Sequence, residues 1–289
     1  MPPRPPAPAL SQAPLAPGLY VVATPIGNLR DVTLRALDVL AGCDRVLAED
    51  TRVTGKLLAT YGIKKPLERH DDHTPEHVRA KLVEAMRAGA RLALCSDAGV
   101  PLVSDPGLPL VREAIAAGVA VIPAPGASAS LAALAAAGLP TDRFLFAGFP
   151  PPRPAARRAW LEELKGVRAT LVLFEAPARL QASLADMAAV FGERPAAVAR
   201  ELTKLHETHY HGALGTLAAH PELARPKGEI VVVIGPPTDK PPDDADADRA
   251  LAEALTRLGP AQAAAEVARS LGLDRRSLYS RALALKGTR

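Results

Sequence analysis

The densest run of ligand-type residues in this chain is a loop holding Ser96, Asp97, Gly99, Pro101, Ser104, Asp105, Pro106 and Gly107, fed by the apolar stretch Leu92-Ala-Leu-Cys95. Glycine and proline set backbone angles there and let a ligand approach the main chain, while serine and aspartate offer hydroxyl and carboxylate partners. Such a loop turns the carboxyl edge of a sheet into a binding site. The plain alternative is a strand-to-helix turn with Asp105 as N-cap and Pro106 in the first helical position. That accounts for these two residues but not for the run before them.

Two charged clusters stand beside it. Glu49, Asp50 and Arg52 follow an apolar strand, and Arg200, Glu201 and Lys204 end another. Alternate strand residues face one way, so each cluster could send one charge into a cleft while another anchors its loop. Structural ion pairs, Glu49 with Arg52 and Arg200 with Glu201, are the competing reading. Among the seven histidines, His70, His73 and His77, and His206, His209 and His211, have ligand-like gaps, with Asp71 and Asp72 near the first set. Both groups sit in polar, loop-like text and read as solvated or substrate-facing, so no metal is expected.

These residues need a scaffold. From Gly18 to about Leu139 the text alternates strands with helices, and further ligand-type loops follow Tyr20-Val-Val-Ala23 and Val119-Ala-Val-Ile122. Alternation of this kind predicts a βα domain over 18–140 with a mostly parallel sheet. Asp31 is the expected cap of its first helix. Over 141–235 strand patterns with few helical ones predict a second, α+β domain with hairpin pairing. Residues 1–17, rich in proline and alanine, read as a disordered tail, and 236–244 as a linker. Residues 245–289 carry three short helical patterns; Gly272 and Asp274 punctuate the last two, giving helix-turn-helix-like text with Arg275, Arg276, Tyr279 and Arg281 available to phosphates. Packing against the body or a partner subunit is the alternative for this module.

A net charge of +4 permits a polyanionic partner without demanding one. The aromatic content of 3% argues against base stacking on exposed aromatic platforms. Cys43 and Cys95 sit in apolar contexts and read as core residues in a reducing compartment. No apolar run approaches the roughly 18 residues that would span a membrane, and the N-terminus lacks a secretion signal's apolar region, so a cytoplasmic protein is expected.

The ordered segments Ala23-Thr-Pro-Ile-Gly-Asn-Leu-Arg-Asp31, Ala48-Glu-Asp-Thr-Arg52, Ser96 to Gly107, Pro125-Gly-Ala-Ser128, Ala137-Gly-Leu-Pro-Thr-Asp-Arg-Phe144, Phe174-Glu-Ala-Pro177 with Arg179, Ala199-Arg-Glu-Leu-Thr-Lys204 and Lys227-Gly-Glu229 resemble motifs of the tetrapyrrole (corrin/porphyrin) methylase superfamily, in its ribosomal-RNA ribose 2′-O-methyltransferase branch. The chain departs from that pattern at His70-Asp-Asp-His-Thr74 and at Pro177-Ala178-Arg179.

The resemblance implies an α/β fold of two domains with the cofactor cleft between them, plus the small C-terminal helical module. It implies S-adenosylmethionine in that cleft, and Thr24, Pro25, Ile26, Asp97, Ala98, Gly99, Val100, Ser128 and Ala129 can offer it main-chain groups and short polar side chains. It also implies methylation of a cytidine 2′-hydroxyl in the ribosomal RNA of the small ribosomal subunit, by a homodimer. Methyl transfer from a sulfonium is an in-line displacement needing alignment and no Lewis acid. Glu49, Asp50, Arg52, Arg200, Glu201 and Lys204 are then the substrate-side charges, with the proton acceptor left open. Methylation of a tetrapyrrole carbon and a non-catalytic RNA-binding role in assembly are the alternatives, because fold does not dictate function.

Overall fold

The computed structural model describes residues 10–11, 13–237, 244–271 and 273–287. They belong to two compact units, Met1–Pro237 and Thr238–Arg289.

The first unit opens with β1 (Gly18–Val22), α1 (Leu34–Gly42), β2 (Arg45–Ala48), α2 (Thr51–Thr60), β3 (Leu67–Arg69), α3 (Glu76–Arg87), β4 (Arg91–Cys95), α4 (Leu108–Ala116), β5 (Val121–Ala124) and α5 (Ala129–Ala136). The strands form one parallel sheet in the order β3-β2-β4-β1-β5. Its central strands are buried on both sides, which is why Leu19–Val22 and Leu92–Cys95 are continuous apolar runs rather than alternating ones. Val22, Val46 and Cys95 pack under α1 and α2, whereas Val21, Leu47 and Leu94 pack under α3 and α4. The loops leaving the adjacent strands β1 and β4 therefore run to opposite faces. A crevice opens between them at the carboxyl edge.

The remainder is β6 (Phe144–Gly148), α6 (Pro154–Leu164), β7 (Thr170–Glu175), α7 (Leu180–Phe191), β8 (Pro195–Arg200), β9 (Thr208–Ala213), α8 (Leu214–Ala218) and β10 (Ile230–Ile234). Its sheet runs β6-β7-β10-β8-β9. The β6–β7 pair is parallel and the other pairs are antiparallel, the consecutive strands β8 and β9 forming a pairing of the hairpin kind expected for this region. Leu171, Leu173, Val198 and Val232 face α6 to α8, while Val172, Ala199, Val231 and Val233 face α5 and Ile26 of the first half. Helix α5 and Ile26 are thus packed on the second sheet, so one hydrophobic cluster spans the two halves.

Several local expectations are corrected. Asp31 lies in a 3-10 turn, Leu29–Asp31, and the N-cap of α1 is Thr33, whose side chain accepts from the Ala36 N–H. Asp105 does not cap α4; Gly107 occupies that position at φ 117°, and a side chain there would press into Leu94 and Leu102. The short strand β3 and helix α8 escaped the periodicity reading, being too brief to show a period. Part of the proline-rich tail is held in place. Leu15 packs against Gly42, the Ser11 N–H donates to Asp38 Oδ1 at 2.7 Å, and the Tyr20 hydroxyl donates to Ala16 O at 2.8 Å.

The second unit contains α9 (Asp244–Ala254), α10 (Pro260–Leu271) and α11 (Arg275–Gly287), packed around Leu251, Ala264, Val267 and Leu278. Asp274 accepts from the Ser277 N–H at 2.8 Å at the start of α11. The proposed turn residue Gly272 lies outside the described residues. Arg281, expected to face phosphate, instead makes a two-pronged ion pair with Asp248 at 2.9 Å, tying α11 to α9. Arg275 and Arg276 are exposed. Among the described residues no helix is long and apolar enough to cross a membrane.

Candidate active site

The two loops that flank the crevice are stitched together. Thr24 N–H donates to Gly99 O at 2.8 Å, Gly99 N–H donates to Thr24 O at 3.1 Å, and the Thr24 hydroxyl donates to Ser96 O at 3.3 Å. The polar groups of Thr24, read from the sequence as ligand contacts, are thus engaged in holding the crevice. Gly99 sits at φ 79°, a left-handed angle that glycine adopts without strain, and a Cβ there would lie 3.3 Å from Ile26.

On one side of this stitch lies a cavity of about 360 Å³. Ile26, Ala98, Gly99, Val100, Ser128 and Ala129 line it from the first half. Phe174, Glu175, Ile230 and Val231 line it from the ends of β7 and β10, and Ser104 and Asp105 from the long loop. Phe149 adds an aromatic wall, its ring 5.4 Å from that of Phe174. Although aromatics are scarce in the sequence, Phe149 leaves half its surface exposed there. On the other side lies a second cavity of about 380 Å³, lined by Thr24, Pro25, Asp97 and Lys204 with residues of α2. Ile26, Ala98 and Glu229 line both cavities, which border each other there.

The charged clusters resolve differently from their sequence reading. Asp50 caps α2 by accepting the Arg52 N–H at 2.8 Å, and it pairs with the Arg52 guanidinium. These are an exposed cap and its ion pair, not the Glu49–Arg52 pair considered above. Arg200 does not pair with Glu201: its guanidinium donates to Lys227 O, His206 O and Thr208 Oγ1, tying the turn from β8 into β9 to the segment before β10. Glu201 instead accepts from Lys204 Nζ at 2.8 Å and from the Glu229 N–H at 2.9 Å, and Lys204 also reaches Glu229 at 3.2 Å. Of the six residues, Lys204 lines a cavity; Glu49, Asp50, Arg52, Arg200 and Glu201 line neither.

Electrostatics separates the roles further. The hydrogen bond from Lys204 holds the Glu201 carboxyl below its usual range. Burial opposes charge on Lys204, but its bonds to Glu201 and Glu229 outweigh this and raise its pKa, so it stays cationic. Glu49 is pushed up, chiefly by burial, with the nearby charges of Asp97, Asp72 and Asp71 adding to the shift, although the Asp97 N–H it accepts opposes it. Asp105 is pushed up to about 6, again chiefly by burial, against a lowering hydrogen bond from Ser96 and with help from the Glu49 and Asp97 charges.

The sequence offers Asp105 as one of several ligand-type residues of its loop, or as a helix cap, and Glu229 only as part of a motif. Both belong to this site. The signal for Asp105 was its place in a loop with more polar residues than a turn needs; nothing local marked Glu229. The loop from Glu201 to Lys204 also stores strain, with Glu201 at φ 54° and Thr203 at φ 65°, conformations that non-glycine residues hold only when their surroundings enforce them. Cys43, pushed up to about 11 by burial, and the buried Cys95 take no part. Among the described residues no His, Cys, Asp and Glu grouping could hold a metal ion.

Comparison with known proteins agrees with this architecture. The sequence profile of the tetrapyrrole (corrin/porphyrin) methylases matches residues 18–218, and that of the RsmI C-terminal HTH domain matches residues 241–286. The chain is 54% identical over 276 residues to a ribosomal RNA small subunit methyltransferase I of Erythrobacter litoralis, covering 96% of this chain and 98% of the relative. It is 51% identical to a protein of the same name from Mesorhizobium japonicum, covering 95% and 94%. The crystal structure of uroporphyrin-III-C-methyltransferase from Thermus thermophilus aligns with a TM-score of 0.53 at 26% identity, over 75% of this chain and 93% of that one. Matched along nearly their whole length, the chain belongs to the ribosomal RNA small subunit methyltransferase I family, within the tetrapyrrole (corrin/porphyrin) methylases.

Proposed function

We propose that this chain is an S-adenosylmethionine-dependent methyltransferase of the cytoplasm that modifies the 2′-hydroxyl of a cytidine ribose in the RNA of the small ribosomal subunit. One observation carries the reading: the ligand-type loops after β1, β4 and β5 meet the ends of β7 and β10 around a single cavity of about 360 Å³. That is the size and placement of a small-molecule cofactor site. Its aromatic and aliphatic wall fits a purine and a thioether chain, and its carboxylates suit a ligand that is positively charged at sulfur. Relatives named for ribosomal RNA methylation support RNA as the acceptor.

When bound, the cofactor supplies an electrophilic methyl group on a sulfonium. Placing the acceptor oxygen in line with it is then most of the catalysis. The Thr24–Gly99 bridge fixes the loop that carries Ala98 and Val100, and Ile26 packs over Gly99. Lys204, cationic and held by Glu201 and Glu229, orients the substrate and does not take its proton. Asp105 is the carboxylate inside the cavity whose pKa approaches neutrality. It is the base assigned to the ribose hydroxyl, a role worth roughly 10²- to 10⁴-fold.

Incubating the purified chain with S-adenosylmethionine and small subunits from cells lacking the protein tests the reading. Nuclease digestion and mass analysis should yield 2′-O-methylcytidine. A methyl group on a base, or no incorporation, would contradict it.

A further inference from the structure

The second cavity holds a feature that the cofactor reading leaves unused. Thr54 of α2 is 2% exposed, yet its Oγ1 is buried without a hydrogen-bond partner in the protein, and Thr54 lines this cavity. A buried hydroxyl left unpaired destabilises a fold, so a partner from outside the chain is the natural complement. Around it α2 presents Val53, Leu57 and Thr60, and Lys56 stands exposed on the same helix. From the opposite side comes Lys204, fixed by Glu201 and Glu229.

We infer that this cavity is the acceptor pocket, taking the nucleoside that is methylated, with Thr54 as a hydrogen-bonding partner of that nucleoside and Lys56 as a contact to a flanking phosphate. The inference rests on assigning the first cavity to the methyl donor. At about 380 Å³ the second cavity accommodates a nucleoside-sized ligand. Its apolar stretch suits a base or sugar face, its orphan hydroxyl a polar edge, and its exposed Lys56 a flanking phosphate, while Lys204 is already paired with Glu201 and Glu229. The two cavities border each other at Ile26, Ala98 and Glu229, so the ribose of a nucleoside in the second would face the donor and Asp105 of the first across that border.

The test compares wild type, Thr54→Val and Lys56→Glu in the full chain. Readouts are methylation of unmodified small subunits, calorimetric affinity for S-adenosylhomocysteine, and thermal stability. Thr54→Val keeps the shape and removes the orphan hydroxyl. It should melt no lower than wild type, bind S-adenosylhomocysteine within about twofold, and lose tenfold or more in kcat/KM for subunits. Lys56→Glu, a surface change that leaves the core intact, should raise KM for subunits several-fold and flatten its rise with salt. Wild-type kcat/KM in both variants, or a matching loss of S-adenosylhomocysteine affinity, would overturn the assignment. A wild-type protein that transfers no methyl group to RNA would instead refute the activity itself.

Discussion

The side chain of Lys204 lies directly over Gly27: a methyl group at residue 27 would collide with Lys204 Cγ and stand 3.0 Å from its Cε. Residue 27 follows β1 in the parallel sheet, and residue 204 follows β8 in the mixed one. The absence of a side chain at one allows the cation at the other to reach Glu229, which lines both cavities. The Asn28 N–H donates to Thr203 Oγ1 at 3.1 Å and fastens the same two loops.

Gly27→Ala should displace Lys204 by a fraction of an ångström to an ångström. Misplacement on that scale costs up to about 10²-fold in turnover, and overpacking costs about 1–3 kcal/mol in stability. Steady-state methylation and chemical denaturation check both. Wild-type values in each would mean that the close approach of Lys204 to Gly27 positions nothing.

Asp105 gives opposite pH trends for stability and turnover. Its folded-state pKa, about 6, is raised above the ordinary 3.8, so the folded protein binds the extra proton. Stability from this group is therefore present at low pH and is lost as pH rises through that window. A base must be ionised, so turnover should rise with pH through about 6. Asp105→Asn should flatten both profiles. Equal pH dependence in wild type and variant would remove Asp105 from its role.

Gly99→Val forces a β-branched residue to φ 79° and crowds Ile26. The Thr24–Gly99 bridge should open, and S-adenosylhomocysteine affinity should fall tenfold or more while the fold persists. Calorimetry on the folded variant decides, and unchanged affinity would detach the bridge from the cofactor site.

In the helical unit, Arg275 and Arg276 are exposed, whereas Arg281 is paired with Asp248. Replacing either of the first two with alanine should reduce the salt slope of RNA binding by about one for each phosphate that the arginine neutralises. Arg281→Ala should chiefly lower the stability of the helical unit. Unchanged salt slopes for Arg275→Ala and Arg276→Ala would make this unit a packing element.

Much of the fold was legible because parallel sheets write themselves as buried apolar runs separated by helical periods, as in Leu92–Cys95 followed by Leu108–Ala116. Loops at strand ends announced their chemistry through glycine, proline, serine and aspartate in excess of a turn's needs. Partnerships were not legible. Arg200 looked like a substrate charge but donates to three protein oxygens, and Glu201 holds not only Lys204, three residues on, but also the Glu229 N–H across 28 residues of sequence. Such choices depend on which loops the two sheets bring face to face. Thr54 was invisible for the same reason, since a threonine on an amphipathic helix carries no local mark that its hydroxyl will be buried unpaired beside a cavity.

Ribose methylation by this chain is tested most directly by the nucleoside content of small-subunit RNA from cells lacking it, compared with the same cells carrying wild type or Gly99→Val. One 2′-O-methylcytidine should disappear with the chain, return with wild type, and stay absent or strongly reduced with Gly99→Val. Unaltered ribose methylation in cells lacking the chain, or full restoration by Gly99→Val, would contradict the assignment.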